Sequence, residues 1–150
     1  MKLFSRINLL KTNYDILSRA KLLHEPDYNV LKNIYDRYCN HKKFIDPIPF
    51  ILDKYTCNNR DIIGYYNKEN LVAYSLILKY PDEHSVLSDQ FAWDYYDPKL
   101  RLGIKSLEHE CAFYKSLGYN YLYLGEHSKY KSKFAGYELL EEEFCLQETT

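Results

Sequence analysis

The chain lacks paired cysteines. Cys39, Cys57, Cys111 and Cys145 are scattered with no Cys-x-x-Cys spacing, which argues against a zinc site or a disulfide framework and for a reducing compartment. No metal ligands are expected. An excess of either charge is also missing. A formal net charge of −1 gives no general attraction to nucleic acid or to an anionic membrane, so any contact with RNA would have to rest on local patches. There is no apolar run long enough to cross a bilayer, and Met1 to Leu10 lacks the sustained apolar core and small-residue cleavage site of a secretion signal. A cytoplasmic protein with no membrane partner is the expectation. No internal repeat or low-complexity tract is visible. Tryptophan occurs once against 17 tyrosines; AT-rich codons would favour Tyr, Lys, Asn and Ile together, so the tyrosines are not read as an RNA-stacking surface.

What is present suits one domain spanning residues 1–150, with 46 % hydrophobic residues to build a core. Leu3 to Leu10 reads as a first strand. Thr12 or Asn13 is placed to cap a helix running to Leu23, with Ile16, Leu17, Ala20 and Leu23 as its buried stripe. Asp27 is placed to cap a second, Asn29 to Cys39, buried along Val30, Leu31, Ile34, Tyr35 and Tyr38. Asp46-Pro47-Ile48-Pro49 then breaks regular structure, because proline donates no backbone hydrogen bond and restricts its predecessor. From Arg60 the period changes. Ile62 to Tyr66 and Leu71 to Tyr80 read as strands joined by a hairpin turn at Asn67-Lys68-Glu69-Asn70, and a third strand, Ser85 to Tyr96, follows Pro81 to His84. The acidic, amphipathic segment Leu139 to Leu146 and a frayed tail close the chain.

The most ordered stretch runs from Trp93 to Leu140. A strand ends at Tyr96-Asp97-Pro98 and a short basic turn leads to Gly103. A helix then carries Ile104, Leu107, Cys111 and Tyr114 on one face, and Gly118 stops it. Tyr121 to Gly125 reads as a short strand, followed by a polar run from His127 to Lys133. Strand, turn, helix and strand of these lengths form a right-handed crossover between neighbouring parallel strands, with the turn at the carboxyl end of the first. Such turns bind ligands. The fold class is therefore α/β with a mixed sheet: an antiparallel meander feeding a βαβ crossover, with helices on both faces.

The residues Tyr96-Asp97-Pro98, Leu102-Gly103, Ser106, Glu110, Leu117-Gly118, Tyr121 to Gly125, Tyr130 to Phe134 and Glu138-Leu139-Leu140, in that order, resemble the C-terminal half of arginyl-tRNA-protein transferases and their bacterial leucyl relatives. The resemblance covers the last third of the chain. It implies a fold like that of the GCN5-related N-acetyltransferases and transfer of an amino acid from a charged tRNA to a protein N-terminus. It also implies that Lys131 and Lys133, with Lys129, meet a phosphate backbone, although a spaced run of lysines is more often a solvated face. The cysteine-rich N-terminal module of the larger members is missing here.

Candidate site residues fall into two groups. In CoA-dependent enzymes of this fold the turn before the central helix reads Gln or Arg, two spacers, Gly, a spacer, then Gly or Ala. Its bare amides hold a pyrophosphate. Here Leu100 and Lys105 stand at the outer positions, while Arg101, Gly103, Ile104, Lys105 and Ser106 remain as a donor-binding segment. Acceptor chemistry is assigned to the strand. Phe91, Trp93 and Tyr95 alternate with Gln90, Ala92, Asp94 and Tyr96. Asp94 on a central strand must be paired, protonated or lining a cleft. Aminolysis needs a neutral amine, and a carboxylate can take its proton. Asp94 is the candidate base or amine-recognition group, with Tyr96 and Gln90 beside it; a surface-facing Asp at a sheet edge is the alternative. Glu126 and His127 follow Gly125 where the parallel strands splay, and His127 suits a general base near neutral pH. No nucleophilic triad is present. Three readings stand: an aminoacyl-tRNA-dependent protein transferase, an acetyl-CoA-dependent N-acetyltransferase, and a non-catalytic binding domain. Either enzyme would hold no tight cofactor, taking aminoacyl-tRNA or acetyl-CoA as co-substrate and a protein, peptide or small-molecule amine as acceptor.

Overall fold

A computed structural model describes residues 4–94, 98–126 and 129–140. Seven strands form one sheet. In chain order they are β1 (Phe4–Asn8), β2 (Ala20–Leu22), β3 (Arg60–Asn67), β4 (Asn70–Tyr80), β5 (Ser85–Trp93), β6 (Tyr121–Glu126) and β7 (Tyr137–Leu140). The helices are α1 (Tyr28–Lys42), α2 (Leu52–Thr56) and α3 (Leu102–Ser116). The spatial order is β2-β3-β4-β5-β6-β1-β7. Every neighbouring pair is antiparallel except β5 and β6. The mixed sheet, the meander β3-β4-β5 and the βαβ crossover through α3 are those expected from the sequence.

Two cores sit on the two faces of this sheet. On one, Leu102, Leu107, Cys111 and Tyr114 of α3 pack against Ile63, Tyr65, Ala73, Ile77 and Val86. On the other, Leu31, Ile34, Tyr35 and Cys39 of α1 and Tyr55 of α2 pack against Ile62, Tyr74, Leu76 and Ala92. A strand covered on both faces has no solvent side, so β4 carries an unbroken buried run from Val72 to Ile77. The hairpin turns through Lys68, in a left-handed backbone conformation (φ 58°), between the paired Asn67 and Asn70. Gly118 ends α3 at φ +93°, its amide donating to the Lys115 carbonyl at 3.0 Å. Asp27 caps α1 by accepting from the Asn29 amide at 3.0 Å. That helix continues past Cys39 to Lys42, and Val30 is left half-exposed while Cys39 joins the core.

The expected helix from residue 12 to Leu23 does not form. Instead the Thr12 hydroxyl closes a single 3-10 turn onto the Leu9 carbonyl, Ile16 is 57 % exposed, and Ala20–Leu22 pairs antiparallel with Ile63–Tyr65. The open edge of β3 needs hydrogen-bond partners along its length. Residues 19–23 supply them, and this outweighs a weak helical period. Only one of the two early helices therefore exists. Tyr137–Leu140 is likewise a strand on β1, not part of an amphipathic segment; 141–146 lie outside the described residues. α2 is too short to leave a periodic trace. Among the described residues no helix is long and apolar enough to cross a membrane.

β1 lies between β6 and β7, and its Arg6 ties both down. Arg6 Nε donates to Glu138 at 2.7 Å, Nη1 donates to the Tyr123 hydroxyl at 2.9 Å, and the guanidinium stands 3.9 Å over the Tyr121 ring. The chain enters β7 through Gly136, at φ +73°, whose carbonyl accepts from the Asn8 amide at 2.8 Å. A Cβ there would run into the Asn8 carbonyl. Gly136→Ala should therefore cost at least about 1–2 kcal/mol, read as a lowered urea midpoint with unchanged slope. An unchanged midpoint would show that the β1–β7 joint yields freely.

Candidate functional site

The site is built where the parallel joint fails. β5 and β6 pair over only three residues, Ser85↔Tyr121, Val86↔Leu122 and Leu87↔Tyr123. Yet β5 continues to Trp93 and β6 to Glu126. From Ser88 onward the two strands part, and the sheet opens on its carboxyl side. A bulge in β5 against Leu76 and Ile77 lies at the same point, with Ile77 opposite Ser88 and Leu76 opposite Gln90. One extra residue reverses the alternation of faces. Ser88 and Phe91 thus both turn to the α3 side, while Gln90, Ala92 and Asp94 turn to the α1 side.

At the floor of the opening on the α3 side lies Glu110, 1 % exposed. Its Oε2 accepts from the Ser75 hydroxyl at 3.1 Å, and the Ser88 hydroxyl is near enough to favour the charged carboxyl group. Oε1 is buried without a hydrogen-bond partner among the described residues. The Tyr65 hydroxyl lies 3.1 Å from Ser75 Oγ. A serine hydroxyl has one proton; with that proton on Glu110, Tyr65 must donate to Ser75. The chain Tyr65 to Ser75 to Glu110 therefore runs towards the carboxylate, while the Tyr65 hydroxyl also lies 3.4 Å from the Ser106 carbonyl. Burial pushes the Glu110 carboxyl up to about 7, against the pull of the two serines and of Lys131. Burial in turn lowers Lys131, offset by Glu110. Burial raises the Tyr130 hydroxyl, with Tyr38 on α1 and Glu110 on α3 adding to the effect.

On the α1 side Asp94 is paired. Its Oδ2 lies 3.1 Å from Arg37 Nη2, with about a third of the side chain exposed. Of the three states the sequence allowed, pairing is the one found. Gln90 Nε2 donates to the Phe91 carbonyl at 3.1 Å, and the side chain lines a groove of about 380 Å³ with Tyr35, Tyr38, Phe44, Ile45 and Ile48. Asp94 and Gln90 thus share one face and stand apart from Glu110, across the sheet. Glu126 ends β6 opposite Phe4. Tyr96 and His127 lie outside the described residues. Lys133 is exposed, whereas Lys131 is half-buried beside the opening.

The donor segment forms the start of α3. Arg101 is the N-cap residue in a left-handed conformation (φ 49°), and no side chain caps the helix. The first turn contains no acidic residue. Helix geometry leaves the amides of Leu102, Gly103 and Ile104 without intrahelical acceptors, and a Cβ at Gly103 would meet nothing within 4 Å. Lys105 already belongs to the helix, its amide donating to the Arg101 carbonyl at 3.0 Å. Ser106 is turned inward, 2 % exposed, its hydroxyl donating to the Gly103 carbonyl. Arg101 is exposed, and Ile104 and Lys105 are partly so.

No family model and no curated protein sequence matches the chain. Solved structures do. L-PGS from Bacillus licheniformis is similar at a TM-score of 0.64 and 15 % identity over 83 % of this chain. The C-terminal domain of a protein assigned as a lysylphosphatidylglycerol synthetase from Agrobacterium fabrum is similar at 0.64 and 10 % over the same share. A conserved protein of Enterococcus faecalis described as an N-acyltransferase is similar at 0.60 and 12 % over 93 %. The fold is that of the GCN5-related acyltransferases. The chain spans 46 % of the length of each of the first two structures and 37 % of the third. At these identities the likeness establishes architecture alone.

Glu110 was not singled out from sequence as a site residue. The signal was present: a carboxylate three residues after Leu107 and four before Tyr114 falls on the buried stripe of its helix, where an ionisable side chain requires an explanation. Ser75, in the middle of an apolar strand, is its counterpart. Because the folded carboxyl lies above its ordinary value of 4.5, the folded state retains a proton that the unfolded chain has released. Stability from this group is full below about pH 4.5 and is lost as pH rises through about 7. Glu110→Gln should therefore match the parent at about pH 4 and exceed it at about pH 8 by on the order of 3 kcal/mol, measured by urea unfolding. Equal stability at pH 8 would show that the carboxyl is solvated or fully paired.

Proposed function

We propose that this chain is an acyltransferase that moves an aminoacyl or acyl group from a phosphate-bearing donor onto an amine. The observation that carries this reading is the opening between β5 and β6, with the uncapped start of α3 at the carboxyl end of β5. Helix N-termini attract phosphate through free amides and the helix dipole, and a partly exposed glycine amide in a first turn without an acidic residue is suited to it. Arg101 and Lys105 add positive charge beside Leu102, Gly103 and Ile104. The acceptor lies in the opening, between Gln90 and Asp94 on one face and Ser88 on the other, with Lys131 beside it and β6 ending at Glu126 along its edge.

Of the two donors, aminoacyl-tRNA is favoured. The ordered residues from Tyr96 to Leu140 resemble the tRNA-dependent transferases, and one of the similar solved structures is named for a lysylphosphatidylglycerol synthetase. Acetyl-CoA is the second reading. It is supported by the bare Gly103 amide, and opposed by Lys105, whose long side chain stands where a second small residue would let a pyrophosphate approach.

The test is thermal stability of the protein with acetyl-CoA, CoA, charged tRNA and uncharged tRNA, since a ligand of the native state raises apparent stability. A shift with tRNA, larger when charged, supports aminoacyl transfer. A shift with CoA compounds alone selects the acetyltransferase reading, and no shift with any of them points to a non-catalytic binding domain. Gly103→Asp should leave the fold intact and raise stability by up to about 1 kcal/mol, because it replaces a flexible residue and places a carboxylate in the first turn of a helix. The same charge should weaken donor binding about tenfold. Unchanged donor affinity would move the phosphate away from this helix.

A further inference from the structure

We propose that Glu110 is the group that takes the proton of the attacking amine, with the Ser88 hydroxyl relaying it from the opening between β5 and β6. The inference rests on the acyltransferase reading above and names the acid–base machinery of that site.

Three observations place the role here. Glu110 is 1 % exposed, yet one carboxyl oxygen, Oε1, has no hydrogen-bond partner among the described residues. A buried carboxylate that serves only packing would have both oxygens satisfied or be replaced by an apolar residue, because each unmet polar atom costs free energy. Ser88 is partly exposed and its hydroxyl is near enough to favour the charged form of the carboxyl group, so it stands between the opening and the buried acid. And the bulge turns Ser88 towards α3 at the position where β5 leaves β6. The serine, the acid and the break in the sheet therefore meet at one point.

The groups facing Glu110 come from every surrounding element. Tyr65 on β3 and Ser75 on β4 form the donor chain beneath it. Ser88 on β5 lies on the side of the opening. Lys131 and Tyr130 approach from the loop before β7, and Cys111 and Tyr114 neighbour it on α3. Burial raises Tyr65, Cys111 and Tyr114 well above neutrality, so these three stay protonated and neutral. Burial also brings the Glu110 carboxyl to about 7, where an acid both releases and accepts a proton at working pH. Lys131 is a cation in range, and it favours the carboxylate that must receive the proton.

In the transfer, the amine nitrogen bonds to the acyl carbon and the carbon–oxygen bond of an ester donor, or carbon–sulfur bond of a thioester, breaks. The proton lost by nitrogen passes to Ser88 Oγ as the Ser88 proton passes to Glu110. The reverse transfer delivers a proton to the departing alkoxide or thiolate, and serine and carboxylate return to their starting states.

The experiment has two arms. In the first, the Glu110 side-chain carboxyl carbon of 13C-labelled protein is assigned by its loss in Glu110→Gln. It is then titrated with pH alone, with a dipeptide amide bearing a free N-terminus, and with the same dipeptide N-acetylated. The expected result is a midpoint near 7 that moves down with the free amine only, and does not move in Ser88→Ala. A midpoint indifferent to the free amine, or moved equally by the acetylated peptide, overturns the proposal. In the second arm, transfer to the free dipeptide is followed against pH with acetyl-CoA and with aminoacyl-tRNA as donors. Activity should rise through about pH 7 in the parent and fall about 100-fold in Glu110→Gln with loss of that rise; a profile unchanged in Glu110→Gln overturns the proposal. Absence of turnover with either donor would count against the transferase reading, and the amine titration would still decide whether Glu110 meets an amine.

Discussion

The parallel pairing of β5 with β6, and its failure after three residue pairs, is the constraint on which the rest of the structure depends. A parallel joint requires a crossover, and α3 provides it, so one helix is held across the sheet with its start above the carboxyl end of β5. The strands then part because β6 is committed elsewhere: Leu122, Tyr123 and Gly125 pair with β1, which Arg6 fastens to β6 and β7 together. β5 is committed in the opposite direction, to β4 along nearly its whole length. Two strands held from opposite sides cannot remain paired once their twists diverge. The opening is the outcome of pairing preferences on either side of it.

The buried polar chain beneath the opening is the second consequence. Placing Ser75 in the middle of β4 and Glu110 on the inner stripe of α3 sacrifices apolar packing at the centre of one core. Ser75, backed by Tyr65, satisfies part of that demand, Ser88 also favours the charged form, and burial opposes them. The balance leaves an acid poised near neutrality; Asp94 stands on the other face. There, partial exposure and Arg37 hold the carboxylate by an ordinary ion pair, and such half-solvated pairs contribute little to stability. Two acidic residues on neighbouring elements thus have different chemistry because one is sealed beneath a helix and the other meets water.

Much of this architecture was legible in the sequence. The meander was visible because turn residues punctuate it at Lys68 and Pro81, and the crossover because Gly118 closes a helix whose buried residues recur at three- and four-residue steps. Asp27 announced α1 through its capping side chain. What failed was local reasoning about a segment whose conformation is set from outside. Residues 19–23 carry a faint helical period, but β3 offers them a row of unpaired backbone groups, and no property of that segment alone records the offer. The bulge at Ser88 was equally hidden. It reverses which side chains share a face, and it follows from how β5 must fit against β4.

The meander, the place of the crossover and the bare start of α3 are properties of the sequence by itself, because glycine, proline, capping residues and hydrophobic period act over a few residues. The acid beneath the opening belongs to the tertiary structure. Glu110, Ser75 and Ser88 are separated by tens of residues, and each is unremarkable in its own segment. Only when α3 closes over β4 and β5 does desolvation act on the carboxyl group, and desolvation depends on what surrounds an atom in space.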